Sequence, residues 1–196
     1  MISEICFATN NKHKLAEVRF ILGSDFRILS LGDFNIQEDL PETKDSFEGN
    51  SEQKAKYLFT KIKIPCFADD SGLEVESLNG EPGIFSARYA GEHKSDEDNI
   101  QLLLRNLKGA KNRNAQFRTV ITFIDEHGES HYFEGTIKGA ILEEKRGTSG
   151  FGYDPLFVPR RQVKTFAEMS PQEKNAMSHR SIAVRKLAAF LMENYR

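Results

Sequence analysis

The chain has 196 residues, 27 Lys+Arg against 29 Asp+Glu, a formal charge of −2 and 39% hydrophobic residues. That length fits one sizeable α/β domain, residues 1–196, and burial of roughly 70% of the unfolded surface needs no disulfide or metal staple. Near-neutral charge argues against a surface built to coat nucleic acid, and no apolar run reaches the roughly 18 residues a membrane helix needs. The start, Met1 to Ile5, has neither the basic flank nor the apolar stretch of a secretory signal. Cys6 and Cys66 sit in short apolar runs without Cys-x-x-Cys spacing, so they read as buried thiols of a cytoplasmic protein.

In chain order, Ile5–Ala8 predicts a buried strand, and Thr9-Asn10-Asn11 a turn and helix cap. Leu15, Val18, Ile21 and Leu22 then recur at helical spacing up to Gly23, and Arg27–Leu31 is a second strand. Asp33–Lys44 is a polar loop, and a helix over Ser46–Lys61 turns Phe47, Ala55, Leu58 and Phe59 inward. Pro65 opens a strand over Cys66–Ala68 that runs into Asp69-Asp70-Ser71-Gly72, which puts two carboxylates at the strand's end. Ser95 caps a helix to about Leu107. Gln116–Ile124 and Ser130–Leu142 are strands joined by a turn at Asp125–Gly128. A glycine-rich loop follows (Gly147, Gly150, Gly152), then a helix start at Ser170-Pro171-Gln172-Glu173 and an amphipathic helix over Ile182–Asn194. The sum is a mixed α/β fold with an antiparallel section in a β-α frame.

The small net charge hides an asymmetry. From Asp33 to Glu52 there are seven acidic residues and one basic, whereas Pro155–Arg196 has three acidic and eight basic. Two solvated faces would give this pattern, and so would a site with carboxylates at one end and cationic donors at the other.

Four groups of residues carry candidate chemistry. The strand–turn–helix at Phe7–Leu15 aims backbone N–H groups and Lys14 at a place where an anion is favoured, although it lacks a Walker A pattern. Asp69 and Asp70 alternate in direction, so one faces a given ion and the other orients the site, with Glu42 a second ligand for a hard cation such as Mg²⁺. A capped Asp-Asp-Ser-Gly turn is the structural alternative. Phe151, Gly152, Tyr153 and Asp154 offer aromatic faces and a carboxylate to a purine, or a core aromatic pair. Lys174, Ser178, His179 and Arg180 offer donors to a carbonyl or phosphate oxygen.

These segments together resemble the inosine triphosphate pyrophosphatase family, the XTP/dITP diphosphatases. The resemblance is carried by Thr9–Lys14, Pro41-Glu42-Thr43, Phe47 to Asn50 with Lys54-Ala55, Phe67–Leu73, Pro82–Tyr89, Gly150–Pro155, and Lys174 with Ser178-His179-Arg180. It implies an elongated α/β fold with a curved mixed β-sheet flanked by helices, two lobes around a central cleft, and a homodimer. It also implies Mg²⁺-dependent hydrolysis of ITP, dITP and XTP to the monophosphate and pyrophosphate, with no nucleic-acid or membrane partner. Residue by residue, Thr9, Asn10, Asn11, Lys12, His13, Lys14 and Lys54 match phosphate contacts. Asp70 matches the proton acceptor and a metal ligand, with Glu42 the other ligand, Asp69 beside it in the catalytic pair and Ser71 touching substrate. Phe151, Gly152, Tyr153, Asp154, Lys174, His179 and Arg180 match the base pocket. Two departures stand out. Gly49 replaces a residue that many members fill with a side chain, and Asn10 stands where glycine is frequent, a position either can fill with positive φ. Rival readings are a pyrophosphatase for pyrimidine or modified nucleotides and a nucleotide sensor without turnover.

Overall fold

The structure is a computed structural model that describes residues 4–23 and 26–195. Met1–Ser3, part of the segment read for a leader, lie outside the described residues. Strand β1 (Glu4–Phe7) leads through Asn11 into α1 (Lys12–Leu22), and β2 (Arg27–Leu29) follows. Gly23 closes α1 in the left-handed region at φ 61°, as its place after the last periodic residue implies. The second strand is shorter than expected, because Leu31–Phe34 winds into a 3₁₀ turn with Asp33 accepting from Ser30 N at 2.7 Å. Helix α2 (Phe47–Ile62) is capped by Ser46, and α3 (Asp96–Asn106) by Ser95. Between them runs β3 (Cys66–Val75), and beyond them β4 (Asn114–Ile124), β5 (Ser130–Ile141), β6 (Phe157–Pro159), α4 (Pro171–Met177) and α5 (His179–Asn194). The capping box at Ser170 and Glu173 and the proline at the first turn of α4 are present.

One correction matters for function. Strand β3 does not end before the acidic pair; it spans Cys66–Val75, so Asp69, Asp70, Ser71 and Gly72 are mid-strand residues and not a turn. Its place in the sheet explains this. The six strands run in the order β2-β1-β3-β4-β5-β6, so β3 pairs with β1 at Cys66 and Phe67 and has β4 as its neighbour on the other side, and ladder pairing overrides local turn propensity. The sheet is mixed: β1 is parallel to β2 and β3, and β5 is antiparallel to β6. The short β6 lies in a stretch that the sequence reading left without an element.

The chain divides into two compact units, the first Met1–Asp70, Thr119–Gly135 and Arg180–Arg196, the second Ser71–Arg118 and Thr136–His179. The first unit has an apolar core on each face of its strands. Ile5, Phe7 and Phe67 pack with Val18 and Leu22 of α1 and Val184, Leu187 and Leu191 of α5. Cys6, Ala8, Cys66 and Ala68 pack with Ala55 and Leu58 of α2. Strand alternation makes this division, and Phe7 stacks on Phe67 at 4.5 Å on the α1/α5 side. Cys6 and Cys66 are register partners on the α2 side, fully buried and free, and burial pushes both thiols well above the ordinary thiol range. The second unit's core joins Leu73 and Val75 of β3, Ile100 and Leu103 of α3, Phe117, Tyr153, Phe157 and Phe166.

Candidate active site

The alternation that sorts the first unit's core also sorts its carboxylates. Asp69, two residues after Phe67, belongs to the α1/α5 side; Asp70, two after Ala68, belongs to the α2 side. Each meets a lysine from the helix it faces. Lys14 Nζ of α1 lies 3.0 Å from each oxygen of Asp69. On the other side, Lys54 of α2 donates to Glu42 and lies 3.8 Å from Asp70 Oδ1, while Asn50 Nδ2 donates to Asp70 Oδ2 at 3.1 Å. Asp69 and Asp70 are 2% and 6% exposed, so neither charge is water-screened and each depends on these partners.

Arg180, at the start of α5, is 2% exposed. Its Nε donates to Asp69 Oδ2 at 3.3 Å and its Nη1 to Glu17 Oε2 of α1 at 2.5 Å. The electrostatics follow burial and neighbours. Burial, with Arg180 and Lys54 adding to it, holds Lys14 below the ordinary lysine range despite Asp69. Lys54 is buried too, yet Asp70, Glu42 and Asp69 together raise it above that range. Burial pushes the Asp70 carboxyl up from its ordinary value, against the pull of Lys54 and Lys14. For Arg180, the pull of Glu17 and Asp69 outweighs burial and raises it further.

The turn before α1 is arranged from its own side chains. Asn11 Oδ1 accepts from His13 N at 2.9 Å and Lys14 N at 3.1 Å, and Thr9 Oγ1 accepts from Asn11 N at 3.1 Å. The first-turn donors at His13 and Lys14 are therefore satisfied within the protein, while Lys12 and His13 are exposed. Asn10 is not among the described residues with positive φ, and its Nδ2 donates to Glu38 O at 3.2 Å. At Gly49 an added Cβ would lie 2.8 Å from Lys44 Cβ, so this chain has no room for a side chain there.

In the second unit, Asp154 is the hub. Its Oδ2 accepts from Lys174 Nζ at 2.7 Å and from Phe151 N at 3.0 Å. The Lys174 ammonium lies 4.9 Å from the Phe151 ring and 5.6 Å from that of Phe166. Gly150 is required: φ is 80°, and a Cβ would come within 2.1 Å of Asp154 Oδ2. The loop is tied down further by Gly152 N donating to Asp96 Oδ2 at 2.7 Å and Tyr153 OH donating to Ser86 O at 2.9 Å. His179 is buried with its ring stacked on Phe117 at 4.7 Å, and Ser71 is half-buried on β3.

Of the residues singled out from sequence, the first unit thus brings together Lys14, Lys54, Glu42, Asp69, Asp70 and Arg180, and the second Phe151, Gly152, Tyr153, Asp154 and Lys174. Two charged participants, Glu17 and Asp96, were not singled out from sequence. Glu17 follows Lys14 by one helical step (i, i+3) on α1, a legible signal. Asp96 carries none, since it is an ordinary first-turn helix residue until the aromatic loop meets it, whereas Asn50 lies in a resembling segment without an assigned role and is given one by Asp70. A separate trio, Asp125, Glu129 and His131, has ligand atoms within 4.8 Å of one another, but Asp125 is already the acceptor for His127 N, Glu129 N and His131 Nε2 and serves as the staple of the β4–β5 turn.

Comparison with known proteins places this arrangement in a class. The profile of the Ham1 family matches residues 5–190. A dITP/XTP pyrophosphatase of Flavobacterium johnsoniae is 51% identical over 96% of this chain and 97% of its own, and one of Porphyromonas gingivalis is 48% identical over 97% and 98%. Among solved structures, the Ham1 protein of Staphylococcus aureus superposes with a TM-score of 0.88 at 42% identity, over 97% of this chain and 98% of that one. The chain belongs to the Ham1 family and is an enzyme of the nucleoside-triphosphate pyrophosphatase class.

Proposed function

We propose that this chain hydrolyses non-standard purine nucleoside triphosphates, ITP, dITP and XTP, to the monophosphate and pyrophosphate with Mg²⁺, removing them from the nucleotide pool. The observation that carries the reading is the pair of consecutive buried carboxylates on β3, each set against a lysine from a different helix. The names of the relatives, dITP/XTP pyrophosphatases, support the choice of substrate. Family resemblance extends the proposal to a homodimer acting in the cytoplasm.

The donor set suits Mg²⁺. Glu42 and Asp70 are hard oxygen donors that converge on one cation already, the Lys54 ammonium. These two residues would hold the metal, which when bound draws charge from phosphate oxygens. Released from Glu42, Lys54 has an ammonium to offer the triphosphate, and Lys14 a second. Asp70, its basicity raised by burial, accepts the proton of the attacking water at a carboxylate oxygen. Asn50, donating to Asp70 Oδ2, fixes the direction of that carboxylate. Thr9 to His13 contribute the turn that sets Lys14, and Ser71 continues the strand beside the acceptor.

Phe151 supplies a face for the base, held by the ties at Asp154, Gly152 and Tyr153. Arg180 and His179 supply donors for a 6-oxo group. Adenine presents an amino donor there, and a buried donor left unmet costs about 1–3 kcal/mol, which disfavours ATP. The test is pyrophosphate release from ITP, XTP, GTP, ATP and dUTP with and without Mg²⁺. The proposal expects fast Mg²⁺-dependent release from ITP and XTP. Equal rates on ITP and GTP, or a preference for dUTP, would defeat it, and no release from any would favour a sensor.

A further inference from the structure

The four buried charges on the α1/α5 side form a chain of alternating sign: Lys14 on Asp69, Asp69 on Arg180, Arg180 on Glu17. The middle two members are each 2% exposed, and Lys14 and Glu17 are mostly covered, at 16% and 14% of their side chains. Two functions proposed above meet in it, since Lys14 is assigned to the triphosphate and Arg180 to the base. They share no contact of their own among the described hydrogen bonds; Asp69 is what both touch. One carboxylate offers about four lone-pair directions, and here the same oxygen, Oδ2, is within reach of both cations.

We infer that Asp69 is a positioning residue that couples recognition of the 6-oxo base at Arg180 to the placement of Lys14 on the triphosphate, so that the choice of base is expressed in turnover as well as in binding. The inference rests on the function proposed above. Its physical basis is the shared oxygen. When a base acceptor takes part of the guanidinium's donor capacity, the share of Asp69 held by Arg180 changes, and with it the hold of Asp69 on Lys14. In a water-excluded network such redistribution is not buffered by solvent. A group serving only the phosphate end would slow all nucleotides alike, and a group serving only the base would act on binding. Asp69 is placed to do neither alone.

The experiment is steady-state pyrophosphate release from ITP and ATP by wild type, Lys14→Met, Asp69→Asn and Arg180→Lys, with melting temperatures to confirm folding. Asp69→Asn should lower the ITP-to-ATP ratio of kcat by about tenfold, within the range that coupling in one ion-pair network produces. Lys14→Met removes the group through which the coupling acts, so it should slow both nucleotides and lower the ratio by a similar factor, and a ratio left within about twofold of wild type overturns the coupling. An unchanged ratio in folded Asp69→Asn overturns the coupling, because Asp69 then serves Lys14 only. If Asp69→Asn does not fold, Arg180→Lys decides, since a lysine keeps the charge but cannot serve Glu17, Asp69 and the base together. The coupling requires a fall in kcat for ITP beside any rise in KM, and a change in KM alone overturns it. Wild-type protein that releases no pyrophosphate from ITP defeats the proposed function itself, and the coupling with it, so the two failures are distinct.

Discussion

The region around Asp69 and Asp70 and the region around Asp154 both bury carboxylates against lysines, yet they do so differently. In the first unit the charges are chained: Asp69 has two cationic partners, and Lys54 has two carboxylates. In the second, Asp154 has one cationic partner among the described ion pairs, and aromatic rings surround the ammonium. A chain of charges can redistribute when a ligand takes one link, whereas a single pair walled by rings holds a fixed shape. The first arrangement suits a triphosphate and a cation, whose charge changes on cleavage, and the second suits a neutral, flat base.

The sharpest way to break this comparison is at the acceptor. Asp70→Asn should lower turnover of ITP by about 10²–10⁴-fold while nucleotide binding, measured by titration calorimetry, changes little. Retained activity would remove Asp70 from the chemistry and leave the first region a structural ion-pair cluster.

Stability separates the two regions next. Lys174→Met leaves Asp154 buried without its cation and should cost about 3–5 kcal/mol in urea unfolding, with about half recovered in Lys174→Met/Asp154→Asn. Lys14→Met leaves Asp69 bonded to Arg180 and should cost less, about 1–3 kcal/mol. Equal losses would mean that the chained charges are no better buffered than the Asp154–Lys174 pair.

The smallest effect calibrates both against a carboxylate with neither role. Burial opposes ionisation of Asp125, but the His131 side chain and the Glu129 and His127 N–H groups hold its pKa below the ordinary 3.8. A depressed pKa stabilises the fold above the unfolded value and loses that contribution as pH falls through the folded one. Asp125→Asn should therefore lower the melting temperature at neutral pH by a few degrees, with the deficit shrinking below about pH 4, and leave pyrophosphate release unaffected.

The helices were legible in sequence because their signals are local. Ser46, Ser95 and Ser170 cap where hydroxyl chemistry places them, and Val18, Leu22, Leu58, Leu187 and Leu191 turn inward at helical spacing. The turn reading of Asp69–Gly72 failed because Asp, Ser and Gly favour turns locally, while β4, the neighbour of β3 on the side away from β1, is remote in sequence.

By itself, then, the sequence determined the order of the elements other than β6, the cap residues and the burial of the two cysteines, and it offered the opposite facing of two consecutive carboxylates only on condition that the strand runs through them. Only the tertiary structure decided which helix each carboxylate meets. It put Lys14, Glu17 and Arg180 on one side and Asn50 and Lys54 on the other, made Asp69 common to two cations, and gave Asp154 its lysine. These partners are 16 to 163 residues apart except for Lys14 and Glu17, and burial makes each worth more than its sequence distance could show.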